Sequence, residues 1–525
     1  MKRDVAIALV LFGLGLWQNL SDLRLTPFHP DESRWLYRAG FVGELRDPLG
    51  PFWDDHATLR VQPPLASYLM GAGLLLQGRD LDTNGRWNFN YGTIWNRVNG
   101  NMASPADLDA GRRTNAVVGA LTVVVVYLLG LRLTNRVGAA VGALVLAAHP
   151  LMIALASQAV ADALLTLLVA LAALAAARLG ERPGWGRALT LGALLGLGAA
   201  TKLTPLAVAA GLAGLGGLLL ARSWWSRHRG QAGTANARLG RMLIALPAVA
   251  LAVFVAVFPY LWSDPVGRTR TLVEFRAQEM ASQGSIWDEL AVGSRSEALR
   301  RVGVTLGDRY STTGRLAAKL AHGLGREWER GGIDLPLALI GAEVLVVLAI
   351  THGARGGPTL AILVLGGQVV AILLGLRADF ARYHLPIALA AAVGIGAAAG
   401  QAWALAARPA ARRWVGDRVY ALLDRAMPDA LPVPRPSASA ARRPRPAPRA
   451  PPPAGVRRRN RPVRRGSAPR AAVVRGHRPR VIVAMPARVL ASAIRRPKAV
   501  VARWRTGDAC VARTGPVRRP DLPPW

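Results

Sequence analysis

A chain of 525 residues that is 52% hydrophobic, 18% charged and formally +35 is too apolar for an ordinary soluble domain and reads as a protein that crosses a membrane several times. The charge gathers at one end, where residues 407–525 hold 29 of the 66 Lys and Arg but 5 of the 31 Asp and Glu, so the excess is mostly a property of the tail, for which anionic lipid is the expected partner ahead of RNA. A single cysteine, Cys510, excludes an intramolecular disulfide framework and a cysteine-based zinc cluster.

Lys2 and Arg3 precede the apolar run Val5 to Leu20, and no small-x-small cleavage pattern follows it, which fits a retained signal anchor. With roughly 20 apolar residues needed per crossing, about ten transmembrane helices are predicted. They lie near residues 4–20, 111–131, 137–155, 160–178, 186–201, 204–221, 242–262, 335–352, 358–376 and 385–406. The stretch 186–221 is the ambiguous one. As one helix it would be roughly 54 Å long, far more than the hydrocarbon core of about 30 Å, so a hairpin breaking at Thr201-Lys202-Leu203-Thr204-Pro205 is predicted.

Loop charge tests this count independently. With the N-terminus inside, the ten-span arrangement puts Arg132, Arg136, Arg178, Arg182, Arg187, the Arg222 to Arg241 cluster, Arg355 and the basic tail on one side. Both termini are then cytoplasmic, and residues 21–110 and 263–334 form external loops. Within the first loop, Pro63 and Pro64 open an apolar helix that ends by Leu76, too short to cross and suited to the interface. From about Pro428 the composition turns to Pro, Arg and Ala, with too few apolar residues to offset the entropy of ordering. The expected organisation is an all-α polytopic membrane domain, 1–406, with external juxtamembrane helices, a juxtamembrane segment, 407–427, and a disordered cytoplasmic tail, 428–525, attracted to anionic lipid head groups.

The residues able to carry chemistry fall at the external ends of the predicted spans. Asp31 and Glu32, in "FHPDESRWLY", follow the first span. Alone they fit an N-terminal cap for a helix from Ser33, and neighbours on a helix point in different directions. Asp162 opens the fourth span in "SQAVADALLTLLVALA", either as a functional acid at membrane depth or as a partner of the helix dipole. Lys202 lies in the external turn of the hairpin, where it suits a phosphate or snorkels from a helix end. Arg382, in "ADFARYHLP", sits at the outer end of the last span. A carboxylate at that face is placed to deprotonate an acceptor hydroxyl, while Lys or Arg stabilises a departing lipid phosphate.

These stretches resemble the GT-C membrane glycosyltransferases, in particular the bacterial protein O-mannosyltransferase-like and aminoarabinose-transferase-like branch. The resemblance runs over roughly residues 4–406 through "HPDESRW", "VQPPLASYLMGAGL", "SQAVADALLTLLVALA", "GLGAATKLTP", "FPYLWSDPVGR" and "RYHLPIALA", in that order. It implies that Asp31 is the catalytic carboxylate, with Glu32 beside it, and that Asp162 and Lys202 match the acid of the later span and the lysine of the Thr-Lys turn. Where the aminoarabinose transferases carry Glu-Lys before Pro-Pro-Leu, this chain has Val61-Gln62. Gln62 donates a hydrogen bond but no charge, which leaves Arg60 or Lys202 to supply the cation.

The expected function is inverting transfer of a monosaccharide from a polyprenyl-phosphate donor to a hydroxyl of a protein, lipid or polysaccharide acceptor at the outer face of the cell membrane. A polytopic lipid or sugar transporter is the alternative, although no internal repeat is visible and the acids sit at one face, not at the midplane. A scaffold whose basic tail is the working part is a third reading. His29, Asp31, Glu32, Asp54, Asp55 and His56 offer oxygen and imidazole ligands, but their spacing matches no metal motif, so no metal or other cofactor is expected to be required.

Overall fold

Prolines and short polar side chains decide where the helices begin. The computed structural model describes residues 2–407 apart from Asp22, Arg24, Leu25, 230–233 and 329–330; the predicted tail lies outside the described residues. The first half runs through α1 (Lys2–Ser21), α2 (Pro30–Tyr37), α3 (Leu65–Leu76), α4 (Pro105–Leu133), α5 (Arg136–Ala148), α6 (Pro150–Ala156), α7 (Asp162–Glu181), α8 (Trp185–Ala199), α9 (Thr204–His228), α10 (Thr234–Ile244) and α11 (Leu246–Ala256). The second half adds α12 (Pro265–Ile286), α13 (Arg295–Val304), α14 (Thr312–Gly323), α15 (Asp334–His352), α16 (Gly357–Gly375) and α17 (Leu385–Ala406). Ser104, Asn135 and Asp264 cap α4, α5 and α12 by accepting from the backbone N–H of Asp107, Gly138 and Gly267. Proline in the first turn of α2, α4, α6, α9 and α12 removes a donor that would have no helical partner there.

Among the described residues, eight helices are long and apolar enough to cross a membrane, nine if the bent α5–α6 pair counts as one span. All ten predicted stretches are thus substantially helical, and the protein is a multi-pass membrane protein. Two of them differ from a plain span. Pro150 disfavours helical geometry at His149, which takes φ −68° and ψ 122°, and the two halves meet at 60°. α8 has 15 residues, about 22 Å at 1.5 Å per residue, short of a core of about 30 Å. The predicted hairpin is present, with its turn between Ala199 and Thr204.

α7 is the buried centre: 83% of its apolar stretch is inside the protein, against 17% for α1 and 11% for α15, which face outward. Small residues let neighbours close in on each other. A Cβ at Gly138 of α5 would lie 2.4 Å from the carbonyl oxygen of Gly396 in α17, and one at Gly396 would lie 2.6 Å from that of Gly138, so glycine at both positions is what permits this backbone contact. The N–H of Leu65, at the start of α3, donates to the Ala200 carbonyl at 2.9 Å. That bond brings Gln62, Pro63 and Pro64 against the α8–α9 turn that carries Lys202.

Candidate active site

The site is assembled from the start of α2, the start of α7, the α8–α9 turn, the chain before α3, α12 and the link from α16 to α17. α2 is built around His29, whose Nδ1 accepts from the Asp31 N–H at 3.2 Å while the Glu32 carboxylate accepts from the His29 N–H at 3.0 Å, a reciprocal cap. Burial, and after it the charge of Arg382, holds the His29 imidazole below its ordinary 6.5.

The two adjacent carboxylates then diverge, as residues about 100° apart on a helix must. Glu32 is fully buried. Arg112 grips it with Nε to Oε1 and Nη2 to Oε2, both at 2.8 Å, and the Ala159 N–H adds a bond of 2.9 Å. Arg112 also donates to the carbonyls of Leu23, Thr26 and Pro27. Glu32 thereby ties α2 to α4 and to the chain that enters α7, with both oxygens occupied. Asp31, buried but reached from the other side, pairs with the Arg382 guanidinium.

A second acid and cation stand alongside. Asp162 is buried at the first position of α7, and its Oδ1 lies 2.5 Å from Lys202 Nζ. The same ammonium sits 5.0 Å from the centre of the Tyr383 ring, next in sequence to Arg382, whose guanidinium lies 5.5 Å from that ring.

These cations border a cavity of about 200 Å³. Gln62, Thr201, Lys202, Arg276, Arg382 and Tyr383 supply its polar wall. Leu165, Leu203, Ile372 and Leu376 are among the residues of its apolar wall. Cationic heads beside a greasy wall suit a ligand with an anionic group on a hydrocarbon chain. Of the residues singled out in the sequence, Gln62, Lys202 and Arg382 line the cavity, and Asp31 and Asp162 pair with two of its cations. Glu32 is held by Arg112, and Arg60 stands apart, its guanidinium 4.9 Å from the Phe275 ring centre and its Nε buried without a hydrogen-bond partner.

Arg276 and Arg38 join the site without a sequence signal. Arg276 pairs with Glu279 one helical turn on, a spacing that in sequence reads as a solvated helix face. Arg38 is buried, donates to the carbonyl of Gln62 at 2.6 Å and to Ser67 Oγ at 3.2 Å, and so fixes the segment before α3. Burial, then the nearby charge of Arg34, lowers its pKa to about 9. Asp54, Asp55 and His56 are used separately, on Arg268, on the Ala57 and Thr58 N–H groups and on the Tyr260 hydroxyl. Among the described residues no three His, Cys, Asp or Glu gather as a metal site.

A match to a family model over part of the chain agrees with the resemblance to the GT-C membrane glycosyltransferases read from its motifs. The matching family model, over residues 106–262, is that of the dolichyl-phosphate-mannose-protein mannosyltransferases, and the stretch includes Asp162 and Lys202. No curated protein matches the chain. Among solved structures it is similar to the oligosaccharyltransferase AglB from Archaeoglobus fulgidus, in complex with an inhibitory peptide and a dolichol-phosphate, at 12% identity and TM-score 0.42, covering 82% of this chain and 52% of that one. It is also similar to ArnT from Cupriavidus metallidurans bound to undecaprenyl phosphate, at 17% identity and TM-score 0.39, covering 75% and 59%. A third is the protein O-mannosyltransferase Pmt1-Pmt2 complex from S. cerevisiae bound to the sugar donor, at 18% identity and TM-score 0.36, covering 50% and 34%. The chain therefore spans about half the length of the first and about a third of the last.

Proposed function

We propose that the protein transfers a monosaccharide from a polyprenyl-phosphate donor to a hydroxyl acceptor, with inversion, at the outer face of the cell membrane. The observation that carries this reading is the cavity where Lys202, Arg276 and Arg382 meet an apolar wall while Asp31 pairs with Arg382. In this reading the donor phosphate lies against the three cations and its hydrocarbon chain along Leu165, Leu203, Ile372 and Leu376. Asp31 takes the proton of the acceptor hydroxyl, whose oxygen bonds to the anomeric carbon from the face opposite the phosphate. The bond from that carbon to the phosphate oxygen breaks, and its electron pair stays on the phosphate, where the cations stabilise it.

Each of the three cations already has an acid: Lys202 has Asp162, Arg276 has Glu279 and Arg382 has Asp31. A phosphate entering among them competes with those carboxylates. Whatever share of Arg382 it draws away leaves Asp31 more basic, since a guanidinium beside a carboxylate favours its ionised form. With three cations supplying positive charge, the reaction so read takes no divalent metal.

Sugar transfer in detergent tests the reading. Purified protein given a radiolabelled polyprenyl-phosphate sugar and a hydroxyl acceptor is expected to form product without any sealed compartment, because transfer needs one side only. Movement of the donor between leaflets in vesicles, with no transfer in detergent, would replace this reading by a transporter.

A further inference from the structure

The cavity depends on Arg382 and Tyr383, and both lie on the short link between α16 and α17, so something must hold that link in place. Asp379 is buried in it, with a side chain only 2% exposed. Its Oδ1 meets His384 Nε2 at 2.6 Å, and its Oδ2 meets Arg301 Nη1 at 3.5 Å and Arg309 Nη1 at 3.9 Å. The Asp379 N–H donates to the Leu290 carbonyl at 2.7 Å, and the Val292 N–H donates to the Arg377 carbonyl at 2.9 Å. Arg301 completes the knot by donating to the carbonyls of Glu289 and Ala291.

This carboxylate therefore closes the link on both sides of Arg382 and Tyr383. Its contact with His384 fastens one end, and its contacts with Arg301 and Arg309, with the backbone bonds of Asp379 and Arg377 to residues 290–292, fasten the other. His384 is wholly buried and its Nδ1 has no hydrogen-bond partner, so Asp379 is the polar group that orients the imidazole. Asp379 itself does not line the cavity.

We infer that Asp379 is a positioning residue that sets the Arg382 guanidinium for the donor phosphate. The inference rests on the donor reading above and adds to it a residue outside the cavity. Residues joined in one buried network are energetically coupled, and the effect expected here is about tenfold in affinity, about 1.4 kcal/mol.

The test uses the full chain in detergent, with a polyprenyl-phosphate sugar for kinetics and sugar-free polyprenyl phosphate for binding. Asp379→Asn keeps the shape and removes the charge. It is expected to raise the donor KM and the Kd for the sugar-free lipid about tenfold, and to lower kcat as well, because Arg382 also stabilises the departing phosphate. Asp379→Glu is expected to recover part of that loss. In an Arg382→Gln background, Asp379→Asn is expected to add nothing further to any of these constants. Arg309→Gln, at the half-exposed edge of the knot, keeps the question answerable if Asp379→Asn does not fold: it is expected to give a smaller rise that also vanishes in the Arg382→Gln background. Wild-type donor KM in a folded Asp379→Asn protein, or losses that add to those of Arg382→Gln, would overturn the inference alone. Wild-type protein that binds no polyprenyl phosphate would overturn both it and the donor reading.

Discussion

Asp31 and Glu32 are adjacent and chemically alike, yet their surroundings assign them different work. Glu32 has both oxygens committed to Arg112 and to two backbone N–H groups, while Asp31 has a cavity cation as its partner. Replacing Glu32 by Ala leaves the Arg112 charge buried and unpaired, a change that costs on the order of 3–5 kcal/mol. A marked fall in the thermal midpoint in detergent is the expected outcome, and an unchanged midpoint would remove the structural role given to Glu32. His29 supplies a pH test. Its folded pKa lies below the ordinary 6.5, so the unfolded chain takes up the proton first as pH falls. Stability is unaffected well above 6.5 and declines as pH drops through that value toward the lowered folded one. His29→Asn retains a capping side chain, so its midpoint is expected to fall less than that of the wild type between about pH 7.5 and about pH 5.5.

At the scale of helices, close approach is the governing constraint. The α5–α17 contact leaves no room for a side chain at Gly138, where a Cβ would sit 2.4 Å from the Gly396 carbonyl oxygen. Gly138→Val is expected to destabilise the protein by on the order of 1–3 kcal/mol, as overpacking does, read as a lowered unfolding midpoint with the purified protein in detergent. The hairpin of α8 and α9 was legible in the sequence because one helix over 186–221 would overshoot the bilayer and because Pro205 marks a new start. The bend at Pro150 had a sequence signal too, but hydropathy alone runs straight through residues 137–155 and hides it.

At the scale of the whole molecule, what the sequence could supply was the order of spans and the alignment of charged residues at their ends. It could not supply partners. Arg112 stands 80 positions from Glu32, and Arg382 is further still from Asp31, so which acid meets which cation is decided by packing and not by local pattern. Arg276 was hidden for the same reason, since its neighbour Glu279 makes it look like an ordinary surface pair. The tail, 428–525, carries most of the excess charge, and none of the residues proposed for transfer. Deleting it is expected to leave the transfer rate in detergent within about twofold, as for a segment too polar to contribute a packed core, and loss of activity from an intact membrane domain would favour the scaffold reading.

The measurement that bears most directly on the proposed chemistry is the transfer rate of folded Asp31→Asn protein with a polyprenyl-phosphate sugar, alongside its binding of the sugar-free lipid. Asparagine keeps the size of the side chain but cannot accept the hydroxyl proton. A fall in rate of about 10²–10⁴-fold with the lipid still bound is the expected result. Transfer at the wild-type rate would contradict Asp31 as the base.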